Sequence, residues 1–132
     1  VGECFARADF VVITLPLTEH TRNCVNAEAL DRLPSHAQIL NIGRAQVMDY
    51  GHLARKLEAN EIAGAILDVF EEEPLPSESP LWSVPNLIIT PHCWLDRPDD
   101  YAKLAIEAFA EDLDNFLAGR PLLRRVDPEL GY

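Results

Sequence analysis

Lysine is nearly absent from this chain, which has two (Lys56 and Lys103) beside nine arginines, and its single methionine is Met48. Eleven basic residues face twenty-two acidic ones, for a net charge of −11. A nucleic-acid partner is excluded, because binding phosphates needs a basic face. No apolar run approaches the ~20 residues that span a bilayer, and no segment resembles a signal peptide, so no membrane is expected and the cytoplasm is the expected compartment. Three cysteines (Cys4, Cys24, Cys93) are an odd number without CxxC spacing, which argues against a disulfide framework and a zinc site. A high-salt setting and a GC-rich genome account equally well for scarce lysine among many carboxylates. No glycine-rich GxGxxG turn is present either, so the loop that cradles a dinucleotide's phosphates is missing.

What the 132 residues do have is an alternation of short β-rich runs and helical patterns, with 48% hydrophobic residues to build a core. That alternation points to βαβ units and a parallel sheet. DFVVITL (9–15) reads as a strand covered on both faces, AQILNI (37–42) as a second, IAGAILDVF (62–70) as a third and LIIT (87–90) as a fourth. Asn26 and Asp49 are suited to cap helices beginning AEALDRL and, after Asp49, at a segment with Leu53 and Leu57 four apart. Tyr101, Ala105, Phe109, Leu113 and Phe116 predict a closing helix over roughly 99–117, ended by Gly119. The expected fold is α/β, a partial Rossmann-like doubly wound parallel sheet of about four strands with flanking helices. Residues 1–118 are its C-terminal half and 119–132 a tail.

Ligands of open parallel sheets bind beyond the carboxyl ends of the strands. The residues found there are Arg44 after the second strand, Asp68 and Glu71–Glu73 after the third, and Pro91–His92 after the fourth. Adjacent strands lie about 4.8 Å apart, so a guanidinium, a carboxylate and an imidazole can converge on one small molecule. A carboxylate beside histidine favours its protonated form, suited to exchanging a proton with a carbonyl oxygen, and arginine offers forked donors to a carboxylate. Taken singly, each has a plainer reading: a loop histidine, a surface arginine, a solvated acidic turn. His20, His36 and His52 are expected in or beside polar loops with no role, and Cys93 as a small buried thiol. Metal binding by Glu71, Glu73, His92 and Cys93 is disfavoured, since their spacing defines no coordination geometry.

The runs ADFVVITLPLTEHTRNCVN, ILNIGRAQVMD, AGAILDVFEEEPLPSESPLW and PNLIITPH, in that order, resemble the NAD-binding domain of the D-isomer-specific 2-hydroxyacid dehydrogenases. The resemblance covers nearly the whole chain. It implies that Arg44 binds the substrate carboxylate and 2-oxo oxygen, Glu73 pairs with the histidine, and His92 is the general acid/base. It further implies that Leu15 and Pro16 line the adenosine side, Thr21 lies near the cofactor phosphates, Ile42 and Gly43 present backbone to the nicotinamide, and Asp68 contacts its carboxamide. Arg44 and His92 face the cofactor as well. The implied cofactor is NAD or NADP, and the implied reaction is hydride transfer between NAD(P)H and a small 2-oxo/2-hydroxy acid of the glyoxylate/hydroxypyruvate kind.

Five positions depart from the family pattern: Ala45 stands where glycine is usual, Trp94 and Leu95 are bulky where small residues follow TPH, and Tyr50 and His52 replace residues usually acidic and small. The glycine fingerprint and a separate substrate domain are also missing. A start at Val1 rather than methionine fits a fragment, expected to be inactive as an isolated chain. The first strand would then expose an apolar edge, expected to be covered by a second copy in a homodimer or by the missing half of the enzyme. The alternative is a non-catalytic relic or association module that keeps the half-fold.

Overall fold

The computed structural model describes residues 2–93 and 98–130. It divides into two compact units, residues 1–92 and 93–132. Unit 1 holds a four-stranded, all-parallel sheet in the order β1 (Phe10–Ile13), β2 (Gln38–Asn41), β3 (Gly64–Leu67), β4 (Leu87–Ile89). Its helices are α1 (Gly2–Ala6), α2 (Ala27–Leu30) and α3 (Tyr50–Glu58). The α/β parallel architecture is the one expected. Each strand is shorter than its apolar run, because ladder hydrogen bonding stops before the loops diverge while the apolar character continues into the core: Ile62, Val69 and Phe70 are buried outside β3.

Both helix caps form as the sequence indicates. The Asn26 side chain accepts from the Ala29 amide at 3.0 Å and that of Asp49 from the His52 amide at 2.8 Å. A cap of this kind contributes about 1 kcal/mol by satisfying an amide with no partner inside the helix. The AEALDRL helix is only one turn long. His52 lies in the first turn of α3, beside the loop that precedes it, and its Nε2 meets Asp31 at 2.7 Å. His36 pairs with Asp9 at 2.8 Å.

Burial alternates along the strands. Ile13, Ile39, Ala65 and Leu67 point into a core shared with Phe5, Leu30, Leu53 and Leu57. The other face is open: Phe10 is 71% exposed, Val12 56% and Ile88 59%. The expectation that the first strand is covered on both faces is therefore incorrect for unit 1, whose core forms on one side of the sheet. As expected, β1 is an edge strand, paired among the described residues only with β2.

Unit 2 is built on α4 (Pro98–Leu117), whose Tyr101, Phe109, Leu113 and Phe116 are exposed. Arg124 of the following segment pairs with Glu111 at 2.8 Å and Asp112 at 3.4 Å. Among the described residues no helix is long and apolar enough to cross a membrane.

Candidate active site

Because all four strands run parallel, their carboxyl ends share one edge of the sheet, and the loops leaving β2, β3 and β4 carry Arg44, Asp68 with Glu73, and His92. Glu73 and His92 meet: the imidazole Nδ1 and carboxylate Oε2 are 2.7 Å apart. The other carboxylate oxygen accepts from the Phe70 amide at 2.8 Å. The hydrogen bond from His92, then that from Phe70, and the nearby charge of Arg44 hold the Glu73 carboxyl below its ordinary value. His92 has a left-handed backbone, φ 50°, and its amide donates to Thr90 O at 3.1 Å. Such a conformation costs a non-glycine residue on the order of 1 kcal/mol and recurs at functional positions. Beside the pair opens a cavity of about 590 Å³ with an apolar wall of Phe70, Leu75, Trp82, Ile89 and Pro91.

Arg44 is exposed and extended in backbone, φ −139° and ψ 144°, and its Nη1 donates to Gly43 O at 2.7 Å. A guanidinium has five donor hydrogens, so this contact leaves most of them available. Ala45 begins a 3-10 turn over Ala45–Val47 and is buried. It is not among the left-handed residues, so a glycine is not required there and Ala45 does not distort the loop.

Asp68 is buried and accepts a hydrogen bond from the Thr90 hydroxyl, joining the exits of β3 and β4. Gly43 approaches the loop after β1 so closely that a Cβ on it would stand 2.7 Å from Leu15 O and 2.9 Å from Leu15 N. Leu15 and Pro16 on one strand exit are thereby set beside Ile42 and Gly43 on the next. Thr21 gives its hydroxyl hydrogen to Pro16 O at 2.6 Å and accepts from the Thr18 amide at 2.8 Å, which closes the intervening loop. Glu71 and Glu72 are exposed.

Cys93 is exposed and not buried as expected: it lies past the end of the last strand, where no core is available to take it. Trp94 and Leu95 lie outside the described residues. No group of three His, Cys, Asp or Glu among the described residues is arranged to hold a metal ion. Sequence reasoning gave no role to Thr90 or Asn41, and marked Tyr50 only as a departure from the family pattern. Thr90 was within reach as the residue two before His92, but Asn41 and Tyr50 act through contacts that only folding creates.

Residues 1–93 match the family model for the D-isomer specific 2-hydroxyacid dehydrogenase, NAD binding domain. The chain is 38% identical over 119 residues to the glyoxylate/hydroxypyruvate reductase A of Salmonella newport (strain SL254), covering 89% of this chain and 37% of that protein. Among solved structures, it is 42% identical to a D-isomer specific 2-hydroxyacid dehydrogenase from Xanthobacter autotrophicus Py2 in complex with NADPH and MES, with a TM-score of 0.83 over 97% of this chain and 52% of that one. It is 32% identical to the NADPH-dependent glyoxylate/hydroxypyruvate reductase of Sinorhizobium meliloti in complex with NADP and sulfate, with a TM-score of 0.81 over 97% of this chain and 41% of that one. The chain spans less than half the length of the curated relatives it matches. By sequence and by fold it belongs to the D-isomer-specific 2-hydroxyacid dehydrogenases and carries their NAD-binding domain type.

Proposed function

We propose that this chain is the catalytic half of an NAD(P)-dependent oxidoreductase that interconverts small 2-oxo acids and D-2-hydroxy acids, with glyoxylate- and hydroxypyruvate-like molecules as substrates. The observation that carries the reading is the 2.7 Å pair of His92 Nδ1 and Glu73 Oε2 at the sheet edge that also presents Arg44.

His92 donates its Nδ1 proton to Glu73, which leaves Nε2 as the atom that exchanges a proton with substrate. The carboxylate pairs with the imidazole and orients the ring for proton exchange at Nε2. Arg44 binds the substrate carboxylate and polarises the neighbouring carbonyl through its remaining donors. In the reduction, His92 Nε2 delivers a proton to the 2-oxo oxygen as the carbonyl carbon becomes tetrahedral, and in oxidation it takes that proton back. A nicotinamide, when bound, supplies or accepts the hydride at that carbon. The apolar side chains of Phe70, Trp82 and Ile89 line the cavity beside the pair.

The residues present fit parts of such a cofactor: Ile42, Gly43 and Asp68 stand where its nicotinamide side would lie and Leu15 and Pro16 where its adenosine side would, all at consecutive strand exits, and the Gly43–Leu15 approach fixes the spacing of two of them. Thr21 belongs to the same loop edge. No glycine turn is available to cradle a pyrophosphate, so the isolated chain is inactive; a partner carrying the missing half supplies that cradle, whereas a second copy covers only the exposed first strand. The uncovered face with Phe10, Val12 and Ile88 supports such a partner. The same face is the one observation favouring a non-catalytic association module.

Titration of NADPH and NADH, followed by Trp fluorescence and by assays on glyoxylate and hydroxypyruvate, separates the readings. Saturable binding is expected, and in any assembly that turns over, His92→Asn removes activity by about 10²-fold or more while leaving cofactor affinity nearly intact. Retained turnover in that variant overturns the role of His92. A tight oligomer binding neither cofactor nor 2-oxo acid overturns the enzymatic reading in favour of the association module.

A further inference from the structure

We infer that Tyr50 is a positioning residue whose hydroxyl, acting through Asn41, fixes the backbone of Gly43 and Arg44 and ties the exit of β2 to that of β3. The consequence for substrate binding rests on the function proposed above; the tie itself does not.

Asn41, the last residue of β2, is fully buried. Its Oδ1 accepts from the Gly43 amide at 3.0 Å, and its Nδ2 donates to Arg44 O at 3.1 Å and to the Tyr50 hydroxyl oxygen at 3.0 Å. The Tyr50 hydroxyl in turn donates to Val69 O at 2.7 Å. Its single hydrogen and one lone pair are thus both used, and the Asn41 side chain braces both residues that lead into the Arg44 side chain.

Val69 follows Asp68, and the next residue, Phe70, gives its amide to Glu73. One phenol therefore joins the segment that carries Arg44 to the segment that carries Asp68 and Glu73. It is itself held rigidly: Tyr50 is the first residue of α3, directly after the capping Asp49, and its ring meets that of Phe70 edge-on with centroids 6.3 Å apart. Burial, together with the charges of Glu73, Glu71 and Asp68, pushes the Tyr50 hydroxyl above its ordinary value of 10.0, against the opposing pull of its bond to Asn41, so it remains a donor at neutral pH. Removing the middle member of this chain leaves one N–H of Asn41 Nδ2, whose other N–H stays on Arg44 O, and the Val69 carbonyl without the partner they share.

The test is Tyr50→Phe, which keeps the ring and its contact with Phe70 while deleting only the hydroxyl; far-UV circular dichroism checks that it folds. Amide hydrogen exchange is read by NMR in the free chain, and the affinity for oxamate, a 2-oxo acid analogue, is read in parallel. Exchange at Gly43 is expected to accelerate by about fivefold beyond any change at Ile39 in the middle of β2. Oxamate affinity is expected to fall by a similar factor, with the titration of Glu73 unmoved. If Gly43 and Ile39 respond alike, Tyr50 is a packing residue and the tie is refuted. A faster Gly43 with unchanged oxamate affinity refutes the positioning of Arg44. A faster Gly43 in a chain whose wild type does not bind oxamate supports the tie and counts against Arg44 as a 2-oxo acid site of the unpartnered chain.

Discussion

One substitution made at two glycines of unit 1 should move stability in opposite directions. At Gly43 a new Cβ meets Leu15 O at 2.7 Å, Leu15 N at 2.9 Å and Thr14 C at 3.1 Å. All three are main-chain atoms held by β1, whose Ile13 carbonyl already accepts from the Ile42 amide at 3.0 Å, so none can swing aside as a side-chain end would. Gly43→Ala therefore has to separate the exits of β1 and β2, at a cost of about 2 kcal/mol by analogy with overpacked cores. For a cooperative unit of this size, that lowers Tm by roughly 10 °C. At Gly51 the added Cβ finds Asp49 Oδ1 at 3.4 Å and Arg55 Nη1 at 3.9 Å, which are ordinary contacts with side-chain atoms. Gly51 lies within α3, so alanine there removes unfolded-chain entropy and raises stability by about 0.5 kcal/mol. Thermal unfolding followed by circular dichroism at 222 nm measures both variants side by side. A Gly43→Ala protein melting within about 2 °C of wild type would refute the argument, because overpacking against backbone predicts a clear loss. A large loss at Gly51 would refute it equally. The Gly43 variant should also weaken cofactor binding, since it displaces Leu15 from Ile42.

Two further outcomes follow from the same geometry. Glu73 should titrate below the ordinary 4.5, and in His92→Asn its value should rise toward 4.5 without reaching it, because the Phe70 amide still donates; carbonyl-carbon NMR reads both. Since its value is depressed on folding, the stability Glu73 contributes is present above the unfolded value and lost as pH falls through the folded one, so Glu73→Gln should converge with wild type in strong acid. Leu57→Ala empties a fully buried site between α3 and the sheet and should cost about 2–5 kcal/mol in urea unfolding; a loss under about 1 kcal/mol would mean that the core is not packed as described.

The proposed chemistry depends on loops, yet the loops are positioned by few and specific contacts. Glu73 stands within the segment that separates β3 from β4, and its carboxylate is placed by one bond to Phe70 and one to His92. His92 is held left-handed by a turn onto Thr90, whose hydroxyl reaches Asp68. Replacing any member of this chain of contacts should alter the others, which makes double substitutions at Thr90 and Glu73 non-additive.

Local information in the sequence was enough to determine the strands, the caps and the order of the site residues. Asn26 and Asp49 cap because a short side-chain oxygen reaches an amide three residues on, whatever the rest of the chain does. Period-2 and near-continuous apolar runs mark strands for an equally local reason, and parallel pairing then brings Arg44, Glu73 and His92 to one edge. Strand lengths, the open face of β1 and the exposure of Cys93 escaped it, because burial is decided by which other elements pack against a run and not by the run's own character. The need for glycine at 43 and its dispensability at 45 were likewise hidden: one is set by the approach of Leu15, twenty-eight residues away in sequence, the other by a 3-10 turn. The bonds of Tyr50 to Asn41 and Val69, nine and nineteen residues away, belong to the tertiary structure alone, since no periodicity encodes a contact between a helix start and two strand exits.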